Sequence, residues 1–189
     1  MLGIIPHTID EYLKRRVDAQ TRAAVLLRAG FQDGKQFRLD TEYGDAECCA
    51  LVAAIADVTG GATETVFDEI ADFFLDWAEQ TFPGFFAVAA DTRRFLMMQP
   101  EIHNSLACGL RSSGQRKVAE KFRAVELPDG IRMHYRSSNR LAYFYCALAR
   151  NLAARRGEIA EISFIEGDTA SSAAIIEIRL KPEPALARA

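Results

Sequence analysis

Three histidines, at positions 7, 103 and 134, are the side chains best suited to ligate a metal or move a proton near neutral pH. His103 follows Pro100, a residue that suits the first turn of a helix. On that helix it shares a face with Leu106, Ala107 and Leu110, at the i+3, i+4 and i+7 positions. An imidazole on an apolar helical face is either a satisfied core group or, held neutral in a dry cleft, a ligand for a metal or a haem iron. The preceding Phe95-Leu-Met-Met-Gln-Pro100 could wall such a cleft. His7, at the start of a helix, reads as solvent-exposed or capping. His134 alternates with Arg132 and Arg136 and is expected to face water, opposite Ile131, Met133 and Tyr135.

A second constellation lies at 135–140. Tyr135 and Ser137 are two residues apart, so in an extended chain both hydroxyls project from one face, roughly 7 Å apart. Asn139 and Arg140 follow at the start of a helix. Two hydroxyls, an amide and a guanidinium can grip a pair of carboxylates, and the same residues can equally form an ordinary polar strand-to-helix turn. Most other enzyme vocabulary is missing: there is no G-x-S-x-G, Walker loop, G-x-G-x-x-G, H-E-x-x-H or EF-hand loop. The cysteines at 48, 49, 108 and 146 form no C-x-x-C and read as free thiols of a reducing cytoplasm.

Both sites need a scaffold, and the 189 residues suffice for one substantial domain. With 49% hydrophobic and 26% charged residues the composition excludes a disordered tail, a collagen-like repeat and a disulfide miniprotein. A net charge of −3 gives no reason to expect nucleic-acid binding. The N-terminal apolar run is too short for a signal peptide, and no window is long enough to insert in a membrane. A cytoplasmic domain is expected. Charge is nonetheless segregated. Residues 39–92 hold twelve acids and no base, whereas residues 93–156 hold thirteen Lys or Arg against four acids. Two solvated faces account for this, as would docking: the acidic face, Asp40 to Asp91, to a basic partner, or the basic half to an anion.

Period divides the chain similarly. Helical spacing opens at Thr8-Ile9-Asp10 and runs on from Arg22 to a stop at Gly30. It returns over Asp45 to Val58 and Thr63 to Gln80, the latter with a wide stripe including Val66, Ile70, Phe73 and Trp77. Pro83-Gly84 breaks it; more helix leads to Pro100, then from Pro100 to about Leu110. Phe122 to Leu127 and Ile131 to Tyr135 alternate around Pro128-Asp-Gly130, a β-hairpin pattern. Arg140 to Arg155 is helical, and strands follow over Ile159 to Ile165 and Ala174 to Leu180. The expected fold is α+β: a helical N-terminal part at about 1–112, then a four-stranded antiparallel sheet with one packed helix at about 118–181. Together these form a single domain of 1–181, with a frayed tail at 182–189.

This order of elements, with the lone helical His103 and His134-Tyr135-Arg136-Ser137 beyond it, resembles the haem nitric oxide/oxygen-binding (H-NOX) family. That family includes the sensor domain of soluble guanylate cyclase. The resemblance runs from Met1-Leu-Gly-Ile-Ile through Leu51-Val-Ala-Ala and Phe82-Pro-Gly-Phe to Ile176-Glu-Ile. It implies haem b in a cleft between the helical part and the sheet, His103 as proximal iron ligand, and Tyr135 and Ser137 on the haem propionates. The family's Y-x-S-x-R motif has Asn139 where its arginine belongs and Arg140 one residue later. Either Arg140 bends in, or a charge-assisted bond of about 1.5–3 kcal/mol is lost. The family's Pro-Pro before the first strand is here Ala119-Glu120-Lys121, which implies a flatter haem.

The resemblance further implies a gas sensor for nitric oxide, or for dioxygen where a distal tyrosine hydroxyl donates to it. Carried on from Tyr135, the register assigns that place to Tyr145, with Tyr143 nearby; a slipped register assigns it to Phe144 or Cys146. Ile5, Phe74 and Leu148 are expected as apolar wall. Nitric oxide weakens the opposite axial bond, so release of His103 would shift its helix, a change that a separate histidine kinase or cyclic-di-GMP enzyme reads. No catalysis is expected of the domain itself. Two alternatives stand beside this one. A divergent, haem-free member acting as a protein-interaction module is favoured by Asn139 and Glu120. A peroxidase-like enzyme would need His7 as its distal acid–base group.

Overall fold

The structure is a computed structural model that describes residues 3–108 and 121–184. Helix α1 (Ile4–Arg16) begins earlier than Thr8 because Pro6 sits in the first turn, where no amide hydrogen is needed. Thr8 lies inside it, its hydroxyl donating to the Ile4 carbonyl at 2.8 Å. Ile9, Tyr12 and Leu13 are buried along one side. Asp10 is buried beside them and held by Arg22 at 2.6 Å and Lys14 at 3.0 Å. Arg22 belongs to α2 (Ala19–Arg28), whose first turn is capped by Asp18 accepting from the Thr21 amide.

Helix α3 (Asp45–Thr59) stops at Gly60, which takes a left-handed φ of 73°. Helix α4 (Thr63–Thr81) is the longest and turns Val66, Ile70 and Phe73 into the helical core. The stretch read as one helix up to Pro100 is two short ones, α5 (Pro83–Ala87) and α6 (Thr92–Met97), the second capped by Asp91. Helix α7 (Gln99–Cys108) carries His103, with Pro100 in its first turn.

Strands β1 (Phe122–Leu127) and β2 (Gly130–Arg136) form the expected hairpin. After α8 (Ala142–Arg155), β3 (Glu158–Glu166) and β4 (Ala173–Pro182) complete an antiparallel sheet of order β1-β2-β4-β3. The two-residue loop Pro128–Asp129 sets Phe122 opposite Tyr135. Ile131, Met133, Tyr135, Ile176 and Ile178 bury one face of the sheet against α8. His134, on the other face, is half-buried, its Nε2 3.4 Å from the Arg123 guanidinium. Strand β4 runs to Pro182, one residue into the expected tail. Leu110, Ala119, Glu120 and tail residues 185–189 lie outside the described residues, as do the boundaries expected at 112 and 118. No single described helix is long and apolar enough to cross a membrane.

The acidic run is in good part answered within the chain. Asp68, Asp72 and Asp76 repeat every four residues along α4 and face α8. There Arg150 meets Asp68 at 2.9 Å, and Arg155 meets both Asp72 and Asp76 at 2.6 Å. Arg28 likewise pairs with Asp57, and Arg38 with Asp40. The case for an acidic docking face weakens accordingly.

Because Asp10 is 1% exposed, removing a partner leaves a buried polar group short of a partner. Arg22→Met should lower unfolding free energy by about 3 kcal/mol, and adding Asp10→Leu should restore part of it. Urea denaturation of both variants checks this; a double variant weaker than the single would contradict it.

Candidate functional site: a histidine-lined cleft between two cores

Two apolar cores meet along a cleft. The helical core supplies Ile5 and Phe74, α6 and α7 supply Phe95, Ile102 and Leu106, and the sheet supplies Phe122 and Tyr135. Helix α8 contributes Phe144, Tyr145 and Leu148. Successive residues of a helix point about 100° apart. Phe144 therefore turns to the helical core, 6.0 Å from the Phe74 ring, while Tyr145 turns to the sheet core, 5.5 Å from Phe122.

His103 stands on the sheet side, its ring centroid 4.6 Å from that of Phe122. Burial, reinforced by the nearby Lys121 charge, depresses its pKa to about 3. At neutral pH it is an uncharged imidazole with a lone pair available, and no described residue hydrogen-bonds to it. The other histidines do not line the cleft. His7 is half-buried rather than exposed or capping, its Nδ1 2.8 Å from the Phe37 carbonyl oxygen and its ring against Trp77. No described group of three His, Cys, Asp or Glu side chains could hold a bare metal ion. A single neutral imidazole suits instead an iron whose remaining in-plane ligands come from a macrocycle.

Tyr135 is buried, and its phenol, pushed up to about 12 by burial, stays protonated. It donates to Asn139 Oδ1 at 2.6 Å, while the Leu141 amide donates to both the phenol oxygen (3.1 Å) and Asn139 Oδ1 (3.2 Å). Asn139 thus lines the cleft but spends its carbonyl oxygen on the turn. Ser137 and Arg140 are not on the cleft wall. Ser137 Oγ accepts from the Asn139 amide at 3.4 Å, and Arg140 takes a left-handed φ of 52° with its side chain exposed. Of the nine residues singled out, the cleft gathers His103, Tyr135, Asn139, Tyr145, Ile5, Phe74 and Leu148. Cleft-lining Phe144 is expected from sequence only in the slipped register, and Phe122 and Lys121 not at all; the two-residue hairpin loop, which fixes the Phe122–Tyr135 register, is the available signal for the last two.

Tyr145 is fully enclosed, and its hydroxyl has no hydrogen-bond partner among the described residues. A buried phenol ordinarily finds one, so this oxygen is a place for a ligand to bond. The donors therefore fit a haem. The cleft encloses about 150 Å³, below the ~300–1,000 Å³ typical of ligand pockets, so the two cores must part to admit a macrocycle.

The depressed His103 pKa has a consequence for the haem-free protein. Between pH 6.5 and about 3 the unfolded chain binds a proton that the folded chain refuses, so stability falls as pH drops through that window. From pH 7.5 to 4.5 wild type should lose about 3 kcal/mol more than His103→Leu, measured by denaturant melts. Equal losses would contradict a buried neutral imidazole.

Comparison with known proteins gives the family and the fold. The haem-NO-binding (HNOB) family model matches residues 2–163. Comparison with curated proteins gives no match. Among solved structures, a mutant H-NOX protein from K. algicida in its unliganded Fe(II) state has a TM-score of 0.80 at 16% identity, covering 97% of this chain and 98% of that one. An H-NOX protein from S. oneidensis in the Fe(II)NO state gives 0.79 at 16% identity, covering 96% and 99%. An oxygen-binding H-NOX domain related to soluble guanylate cyclases, solved as its oxygen complex, gives 0.73 at 18%, covering 96% and 95%. At these identities the structures establish the shared α+β fold, and the family model covers most of the sequence. The chain belongs to the haem-NO-binding family.

Proposed function

We propose that this chain holds haem b through His103, senses nitric oxide, and passes the signal to a separate protein. The observation that carries this is the neutral His103 imidazole, without a described hydrogen-bond partner, in an apolar cleft between two cores. When bound, the haem would supply a ferrous iron able to take a diatomic gas, with His103 holding it to the chain. Tyr135 meets its carboxylates from the cleft wall, exchanging its bond to Asn139 for one to the ligand, and Ser137, just off that wall at the same end of the hairpin, turns in to join it.

Ile5, Phe74, Phe144 and Leu148 keep water from the gas side. This apolar wall, with Phe144 rather than Tyr145 against Phe74, supports nitric oxide as the ligand. Tyr145 favours a second reading, dioxygen, because its buried hydroxyl has a hydrogen to donate and no described acceptor. Any displacement of His103 would move α7 against α6 and β1, on which it packs. Such a two-state shift is what a histidine kinase or a cyclic-di-GMP enzyme would read. No catalytic role is assigned, since neither His7 nor His134 lines the cleft to serve as an acid–base group.

The test is an absorption spectrum of the dithionite-reduced protein, before and after nitric oxide and then in air. We expect a Soret band that shifts with nitric oxide and no lasting oxy spectrum. A stable oxy complex would transfer the assignment to dioxygen and Tyr145. No Soret band after haem reconstitution would remove the sensor function and leave a protein-interaction module.

A further inference from the structure

Haem b carries two carboxylates, and a carboxylate in an apolar cleft is costly unless a cation or several donors meet it. The residues nominated by the family motif do not supply that cation here. Asn139 is neutral and commits its carbonyl oxygen to Tyr135 and Leu141. Arg140 is exposed and off the cleft wall, on a left-handed turn that carries the chain into α8. Arg123 and Arg136 lie on the opposite face of the sheet with His134, around a different hollow.

Among the described residues that line the cleft, Lys121 is the only lysine or arginine. It directly precedes Phe122, and its carbonyl accepts from the Arg136 amide at 2.9 Å, which places it at the Tyr135–Ser137 end of the hairpin. Its Nζ lies 5.4 Å from the centre of the Phe122 ring. That ring stands 4.6 Å from the His103 ring and 5.6 Å from the Tyr135 ring. The lysine charge therefore lies beside a ring that contacts both His103 and the phenol.

We propose that Lys121, not Arg140, is the cation that pairs with a haem carboxylate in this chain. The assignment rests on the haem-binding function proposed above. It gives a reason for the motif's departure at Asn139: a point charge from the start of β1 takes over from a guanidinium after β2, and Asn139 is left to brace the turn. A lysine ammonium, being a single flexible charge, needs no fork geometry to do so.

The experiment follows loss of haem from the full chain to excess apomyoglobin, by the Soret band. It uses haem b and its dimethyl ester, which has no carboxylate charge. Lys121→Met should speed loss of haem b about tenfold or more, the worth of one hydrogen bond to a charged group. It should leave loss of the ester unchanged, Lys121→Arg should restore the wild-type rate, and Arg140→Met should behave as wild type. If Arg140→Met speeds loss of haem b alone and Lys121→Met does not, the assignment is wrong. Equal acceleration of haem b and ester by Lys121→Met would make the lysine a packing residue and also overturn it. A chain that takes up neither haem nor ester fails at the earlier step, haem binding itself.

Discussion

Helix α8 must be buried on two sides at once, and most of the molecule follows from that. One flank sends Phe144 and Ala147 into the helical core; the other sends Tyr145, Ala149 and Leu152 into the sheet core, with Leu148 touching both. Alanines at 142, 147, 149 and 153 are buried, so neighbours on either side can approach the helix backbone closely. The third flank is polar, yet it too is used: Tyr143, Arg150 and Arg155 meet the acidic row of α4. A helix held this way joins two cores without merging them, and the cleft is the seam that remains.

The seam's chemistry comes from what borders it. Its wall is aliphatic and aromatic, so a histidine there loses its charge, and the phenols of Tyr135 and Tyr145 keep their protons. An imidazole lone pair and phenol hydrogens are what a dry pocket can offer an iron macrocycle and its carboxylates. Opening of the seam is resisted by apolar contact on its inner side and by the α4–α8 ion pairs on its outer side. The outer pairs are partly exposed, and such pairs hold weakly. The apolar contact around α8 therefore does most to hold the two cores together.

Much of the fold was legible because its signals are local. Pro100 announced α7, alternation around Pro128-Asp-Gly130 announced the hairpin, and the α4 stripe announced a core helix. The start of α1 was missed because Thr8 resembles a cap; its hydroxyl is instead spent inside the helix on Ile4. Pairs distant in sequence were not legible at all: Asp10 with Arg22 depends on how α1 and α2 cross, and the α4–α8 ladder on a contact spanning more than eighty residues. At the site, His103 and Tyr135 could be nominated from spacing, but the outward turn at Arg140 depends on a backbone angle that no side-chain pattern encodes. The place of Lys121 is not legible in the sequence, because it depends on Phe122 contacting both the His103 and the Tyr135 rings.

The central claim is that one protein side chain, His103, ties the iron to the fold. It is tested most directly by His103→Gly, purified with and without free imidazole and followed by the ferrous Soret spectrum. Removing the side chain leaves a hole of imidazole size beside Phe122. Haem should therefore be retained only when imidazole is supplied, with a spectrum like that of wild type. Unchanged haem content and an unchanged ferrous spectrum without imidazole would contradict the account, since some other residue would then be holding the iron.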